Sequence, residues 1–179
     1  MIKVLVVSVL MSGSYVNRTI YLHENEIVIN EKYYLNNSTK IIEEKSIYYV
    51  FDDNEVQEFS NQEKRINPVS LYKNDTWQME GWPSKIILEE SLNEQINGNY
   101  SFTRKTNYGN EQYSLLKDDS IMFPGLFNLS IDINNVSYAI VKLEVFYKKI
   151  LMYKSDLIET RIGLQSDLVT FNSIKDLFI

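Results

Sequence analysis

A two-residue hydrophobic period constrains this chain more than any other feature of its sequence. In residues 127–149, FNLSIDINNVSYAIVKLEVFYKK, the apolar Phe127, Leu129, Ile131 and Ile133 alternate with Asn128, Ser130, Asp132 and Asn134. Beyond Asn134 and Asn135, Ala139, Val141, Leu143 and Val145 share one parity, and Lys142 and Glu144 take the other. Wound at 3.6 residues per turn, that pattern would scatter apolar groups around a cylinder. Pleated, it separates oil from water. The stretch predicts a long antiparallel hairpin.

The same reading extends along the chain. Residues 2–11 are apolar at both parities, as in a central strand covered on both sides, and Met11-Ser12-Gly13-Ser14 ends the run. Short strands are expected at 19–22 and 27–29, joined across His23 to Glu26, and Tyr33-Tyr34-Leu35 stops at an Asn36-Asn37 turn signal. SIYYVFDDNEVQEF reads as a hairpin turning at Asp52-Asp53-Asn54, and residues 60–68 read as a polar loop. A helix is expected over 84–98, capped by Ser84 and stopped by Gly98, although Ile86-Ile87-Leu88 also suits a strand start. Residues 99–117 predict another hairpin turning at 107–110, and Pro124-Gly125 another turn. In the tail, Asp156 with Glu159 would cap a helix that Gly163 stops early. Leu168, Phe171 and Ile174 or Lys175 have helical spacing, while Val169 and Phe171 also suit a strand. The expected fold is mainly β: a single domain over 1–179, an antiparallel β-sandwich or jelly-roll-like domain with one or two short helices.

Composition removes several functions. Cysteine is absent, so there is no disulfide, thiol nucleophile or cysteine-bound metal. His23 is the only histidine, which excludes a His-rich metal site or a catalytic histidine pair within one subunit. A net charge of −6 and a pI near 4.9 oppose a general affinity for the nucleic-acid backbone. Lys148, Lys149 and Lys154 read as a solvated face. The apolar run at 2–11 is too short to span a bilayer, and it reads as a buried strand in preference to the core of a signal peptide.

Motifs that carry chemistry are scarce. No P-loop, nucleophile elbow, dinucleotide fingerprint or zinc-protease motif is present. MSGSY has one glycine and no helical pattern after it, so it reads as a loop and not as a phosphate cradle. The acidic pairs Asp52-Asp53, Glu89-Glu90 and Asp118-Asp119 fall at turns or on a helix surface. A glycosidase needs its carboxyls facing each other across about 5–10 Å. The Asp52-Asp53-Asn54 turn is too short to enclose calcium. His23, beside Glu24 and Glu26, is expected to be an exposed turn residue.

Trp77 and Trp82, with Tyr72 and Asn74, form the one aromatic-polar cluster suited to stacking on sugar rings and bonding their hydroxyls. The plainer assignment puts both tryptophans in the core or a subunit contact. Glycosylation acceptor patterns begin at Asn17, Asn36, Asn37, Asn74, Asn99, Asn128 and Asn135, and they matter only if the chain is exported. The functional expectation is a non-enzymatic structural subunit of a larger assembly, most commonly a capsid, neck or tail component of a virion. It would act on other protein subunits as a homo- or hetero-oligomer. No cofactor, metal, nucleic acid or membrane insertion is expected. The alternative is a carbohydrate- or receptor-binding β-sandwich using Trp77 and Trp82.

Overall fold

The structure is a computed structural model describing residues 1–61, 63–68, 94–96, 99–106, 109–117, 130–133 and 136–179. Its strands are β1 (Ile2–Met11), β2 (Ser14–His23), β3 (Glu26–Leu35), β4 (Ile41–Phe51), β5 (Glu55–Ser60), β6 (Glu63–Pro68), β7 (Glu94–Ile96), β8 (Asn99–Thr106), β9 (Gly109–Lys117), β10 (Ser130–Ile133), β11 (Val136–Tyr147) and β12 (Ile150–Ile162). One helix among the described residues, α1 (Gln165–Lys175), follows. All twelve strands join one sheet in the order β6-β5-β4-β3-β2-β1-β12-β11-β9-β8-β7, with β10 also paired to β11. The described pairings are antiparallel. The mainly β antiparallel expectation holds.

The first six strands form a meander because each turn signal acts locally. Gly13 supplies φ +79° between β1 and β2, and Asn37 reaches φ +61° after β3, a region open to Gly and tolerated by Asn. The Asp52 carboxylate accepts the Asn54 and Glu55 amides, both at 2.7 Å, closing the β4–β5 turn. The chain end then returns to the middle: β12 lies beside β1, which places β1 among the innermost strands. Val4 and Leu5, on opposite parities of β1, are both buried, matching its double-sided apolar pattern.

Parity sorts the core into two clusters. Leu5, Val7, Val9, Ile20, Ile27, Ile29, Ile47, Tyr49 and Val56 pack together on one face, here face A. Ile2, Val4, Tyr21, Val28 and Tyr48 pack on the opposite face B, against Phe171 of α1. Phe171 is fully buried, which contributes about 1.5–3 kcal/mol.

Several finer expectations are corrected. Residues 63–68 form strand β6, not a loop; its polar sequence suits the sheet edge it occupies. Glu94–Ile96 is a strand paired with β8, so the helix expected to run to Gly98 does not include it. Residues 84–93, like the Pro124-Gly125 turn signal, lie outside those described. Of the hairpin expected over 127–149, residues 127–129 and 134–135 lie outside those described. β10 pairs with β11 over four residues, while most of β11 pairs with β9 and β12. Residues 150–162 are strand, so Asp156 and Glu159 cap no helix. The helical spacing of Leu168, Phe171 and Ile174 does define α1, and all three join the face B cluster.

Candidate functional site

Helix α1 covers only part of face B, and the register shows which part. One cross-strand row reads Arg161, Val4, Tyr21, Val28, Tyr48. Two residues along each strand, the next reads Glu159, Val6, Thr19, Asn30, Ser46, followed by Asp156, Ser8, Asn17, Lys32, Glu44. Beyond these, Tyr15 pairs with Tyr34. The helix lies over the apolar row, and the polar rows continue past it.

The helix is held at both ends. At its start, the Asp167 carboxylate accepts hydrogen bonds from Arg161 Nη1 and Nη2, at 2.7 and 2.9 Å, and from the Leu164 amide at 2.6 Å. Leu164 at the N-cap has no side-chain acceptor, so Asp167 supplies the reciprocal half of a capping box. The Arg161 bonds, then the Leu164 amide, hold the Asp167 carboxyl down from 3.8 to about 2. Gly163 lets the chain pass close to β1: its amide donates to the Ile2 carbonyl at 2.7 Å, and a Cβ there would sit 2.4 Å from Ile2 Cγ2. At the far end, Lys175 Nζ lies 2.6 Å from Glu26 Oε1, which also accepts the Tyr48 hydroxyl. Burial, then this bond, raises the Tyr48 phenol.

Where the helix leaves the polar rows uncovered, an open cleft of about 730 Å³ remains. Asn17, Asn30, Lys32, Tyr34 and Glu44 line its sheet side, and Val169, Thr170 and Ser173 its helix side. Ile158, skipped by the β1–β12 register at a bulge, adds an exposed apolar rim. Asn30 is buried and donates to Glu44 at 3.0 Å and Ser46 at 3.1 Å. Tyr34 stacks on Tyr15, centroids 4.7 Å apart and planes within 6°. The Tyr15 hydroxyl is tied to the Ser38 carbonyl at 2.7 Å. Thr170 and Ser173 donate to helix carbonyls one turn back, so their hydroxyl oxygens keep acceptor capacity. Lys32 is half-buried and faces Glu44 across the strands. It has no ion-pair or hydrogen-bond partner among the described residues.

Face A holds a different polar group. Arg18 Nε lies 2.6 Å from Glu31 Oε1, with side-chain exposures of 11% and 4%, and Tyr33 donates to Glu31 at 2.7 Å. Burial opposes the Arg18 charge, but the Glu31 carboxylate outweighs it and the guanidinium pKa rises. With its carboxylate oxygens engaged and both residues buried, this pair is structural.

The residues singled out from sequence fare unevenly. Trp77, Trp82, Tyr72 and Asn74 lie outside the described residues, as do Glu89-Glu90 and Asp118-Asp119. Asp52 and Asp53 are exposed turn residues. The loop of MSGSY is the tight β1–β2 turn, with strand on both sides. His23 is not the exposed turn residue expected. It closes β2 half-buried, 5.4 Å edge-on to Phe171, with Nδ1 buried and without a hydrogen-bond partner among the described residues. Asn17 is exposed on the cleft floor, and Asn36 and Asn37 are exposed in a turn. Lys148 and Lys149 form the two-residue β11–β12 turn at φ +48° and +65°. The cleft itself went unread because it takes residues from five strands and α1. Its one sequence trace is the parity of Asn17, Thr19 and Tyr21 with Asn30, Lys32 and Tyr34.

Among the described residues, no group of three or more His, Asp or Glu is placed to hold a metal ion, and no helix is long and apolar enough to cross a membrane. No protein-family model matches the chain, and a search of curated proteins returns no match.

Proposed function

We propose that this chain is a non-enzymatic structural subunit of a larger assembly, joined to its neighbours through the β11–β12 hairpin. The observation carrying this reading is the tip of that hairpin. Pairing of β11 with β9 ends at Phe146, and pairing of β12 with β1 begins at Tyr153, so Tyr147 to Met152 lie past the last paired residues on both sides. Four of the six, Tyr147, Ile150, Leu151 and Met152, are exposed apolar residues. The remaining two are the lysines in left-handed backbone, where Asn-Gly is the relaxed choice and each side chain costs about 1–2 kcal/mol. An apolar plug carrying two cations fits an apolar socket rimmed by acid on another protein subunit. The chain's own net charge of −6 opposes docking on an anionic lipid surface. Sheet extension is disfavoured at the β6 edge, where Glu63, Lys64, Arg65 and Pro68 blunt strand addition.

The setting proposed with this reading is a virion, as a capsid, neck or tail component, where one such contact is repeated many times. Native mass measurement at micromolar concentration tests it. An oligomer or a defined complex is expected, and Leu151→Asp with Met152→Asp should weaken it at least about tenfold. A stable monomer that finds no partner would contradict the proposal. The alternative, a carbohydrate- or receptor-binding module, gains support from the cleft beside α1; Trp77 and Trp82 lie outside the described residues.

A further inference from the structure

We propose that the cleft between α1 and the polar rows of face B binds a neutral saccharide. This goes beyond the assembly role and does not depend on it.

Three features define the ligand class. First, the cleft is preorganised. Asn30 is fixed by two hydrogen bonds, and Tyr34 is fixed by stacking on a tyrosine itself tied to the Ser38 carbonyl. Groups held this way lose little freedom on binding. Second, donors and acceptors are interleaved. Lys32 brings an ammonium with no partner among the described residues, Asn17 an exposed amide, and Glu44 a carboxylate with acceptor capacity beyond its Asn30 bond. Thr170 and Ser173 add hydroxyl oxygens. A row of vicinal hydroxyls, each both donor and acceptor, satisfies such a mixture, whereas an anion would meet Glu44 and a cation would meet Lys32. The lining charges of Lys32 and Glu44 cancel, which selects an uncharged ligand.

Third, the walls carry apolar surface where a sugar does. Val169 and Ile158 are exposed on the helix side and rim, and Tyr34 presents a ring at the other end. A pyranose has the same division, with C–H groups on its faces and hydroxyls at its edge. The volume falls within the roughly 300–1,000 Å³ of small-molecule sites. An open cleft of that size admits more than one ring.

The test is an amide chemical-shift titration of the whole chain with maltotriose, cellotriose, chitotriose and xylotriose, and with trigalacturonate as the anionic control. At least one neutral trisaccharide should saturate shifts at Asn30, Lys32 and Thr170 with a dissociation constant below about 1 mM. Lys32→Met, which removes the ammonium, and Val169→Arg, which fills the cleft from an exposed helix position, should each weaken that binding at least about tenfold. Both should leave the melting temperature within about 2 °C of the parent. No saturable shift with any neutral sugar overturns the inference. So does binding of trigalacturonate alone, or binding that survives both substitutions.

Discussion

On face A of β1–β4, Leu5, Ile20, Ile27 and Tyr49 are buried, and the two buried charges there, Arg18 and Glu31, pair with each other while Tyr33 donates its hydroxyl to Glu31. On face B of the same strands, burial stops part-way. Val4, Val28 and Tyr48 lie under α1, and further along the strands Thr19 and Asn30, then Lys32 in the row after them, face a cleft. The backbone and register are common to both faces, so the difference rests on side-chain parity and the length of one helix. A strand specifies two surfaces independently. One can complete a core while its reverse stays accessible for binding.

The most severe way to break this comparison is to strand a charge on face A. Glu31→Leu should cost about 3–5 kcal/mol in denaturant unfolding, because Arg18 would stay buried without its carboxylate. The double change with Arg18→Met should recover most of that loss, as paired charges give way to apolar packing. Next in size is the anchor of face B. Phe171→Ala should cost about 3–5 kcal/mol, toward the lower end if the helix detaches and relieves the cavity. Its effect on amide protection should fall on Ile2, Val4 and Val28 more than on Ile27 and Ile29.

A smaller effect is expected from Gly163→Ala. The added methyl meets Ile2 Cγ2 and the Ile2 carbonyl, at a cost of about 1–3 kcal/mol as the β12–α1 connection shifts. The smallest is a pH effect confined to the helix. The folded Asp167 carboxyl lies below its unfolded value, so its stabilisation is fully present above about pH 3.8 and is lost as pH falls toward about 2. Helical circular dichroism should weaken across that window. In Asp167→Asn the helix should already be loosened at neutral pH, and the acid step should disappear.

Much of the fold was legible because its information is local. Alternation located the strands, and Gly13, Asn37 and Asp52 marked turns whose chemistry involves neighbouring residues. Sequence readings failed where position in the sheet overrode local pattern. β6 reads as a loop because an edge strand, paired on one side, needs little apolar surface. The tail was ambiguous because Val169 and Phe171 suit either state, and only docking of Phe171 on Tyr48 and Val28 decides it. The placement of β12 beside β1 joins residues about 150 positions apart, and no short-range pattern records that. The cleft depends on that closure, and so does the half-burial of His23 against Phe171.

The central claim is that α1 rests on the even-numbered residues of β1 and leaves the odd-numbered ones to the other face. Nuclear Overhauser contacts of the Phe171 ring test this most directly. Cross-peaks to the methyl groups of Ile2, Val4 and Val28 are predicted. Cross-peaks to Leu5, Ile27 and Ile29 in their place would put the helix on the wrong face and remove the cleft with it.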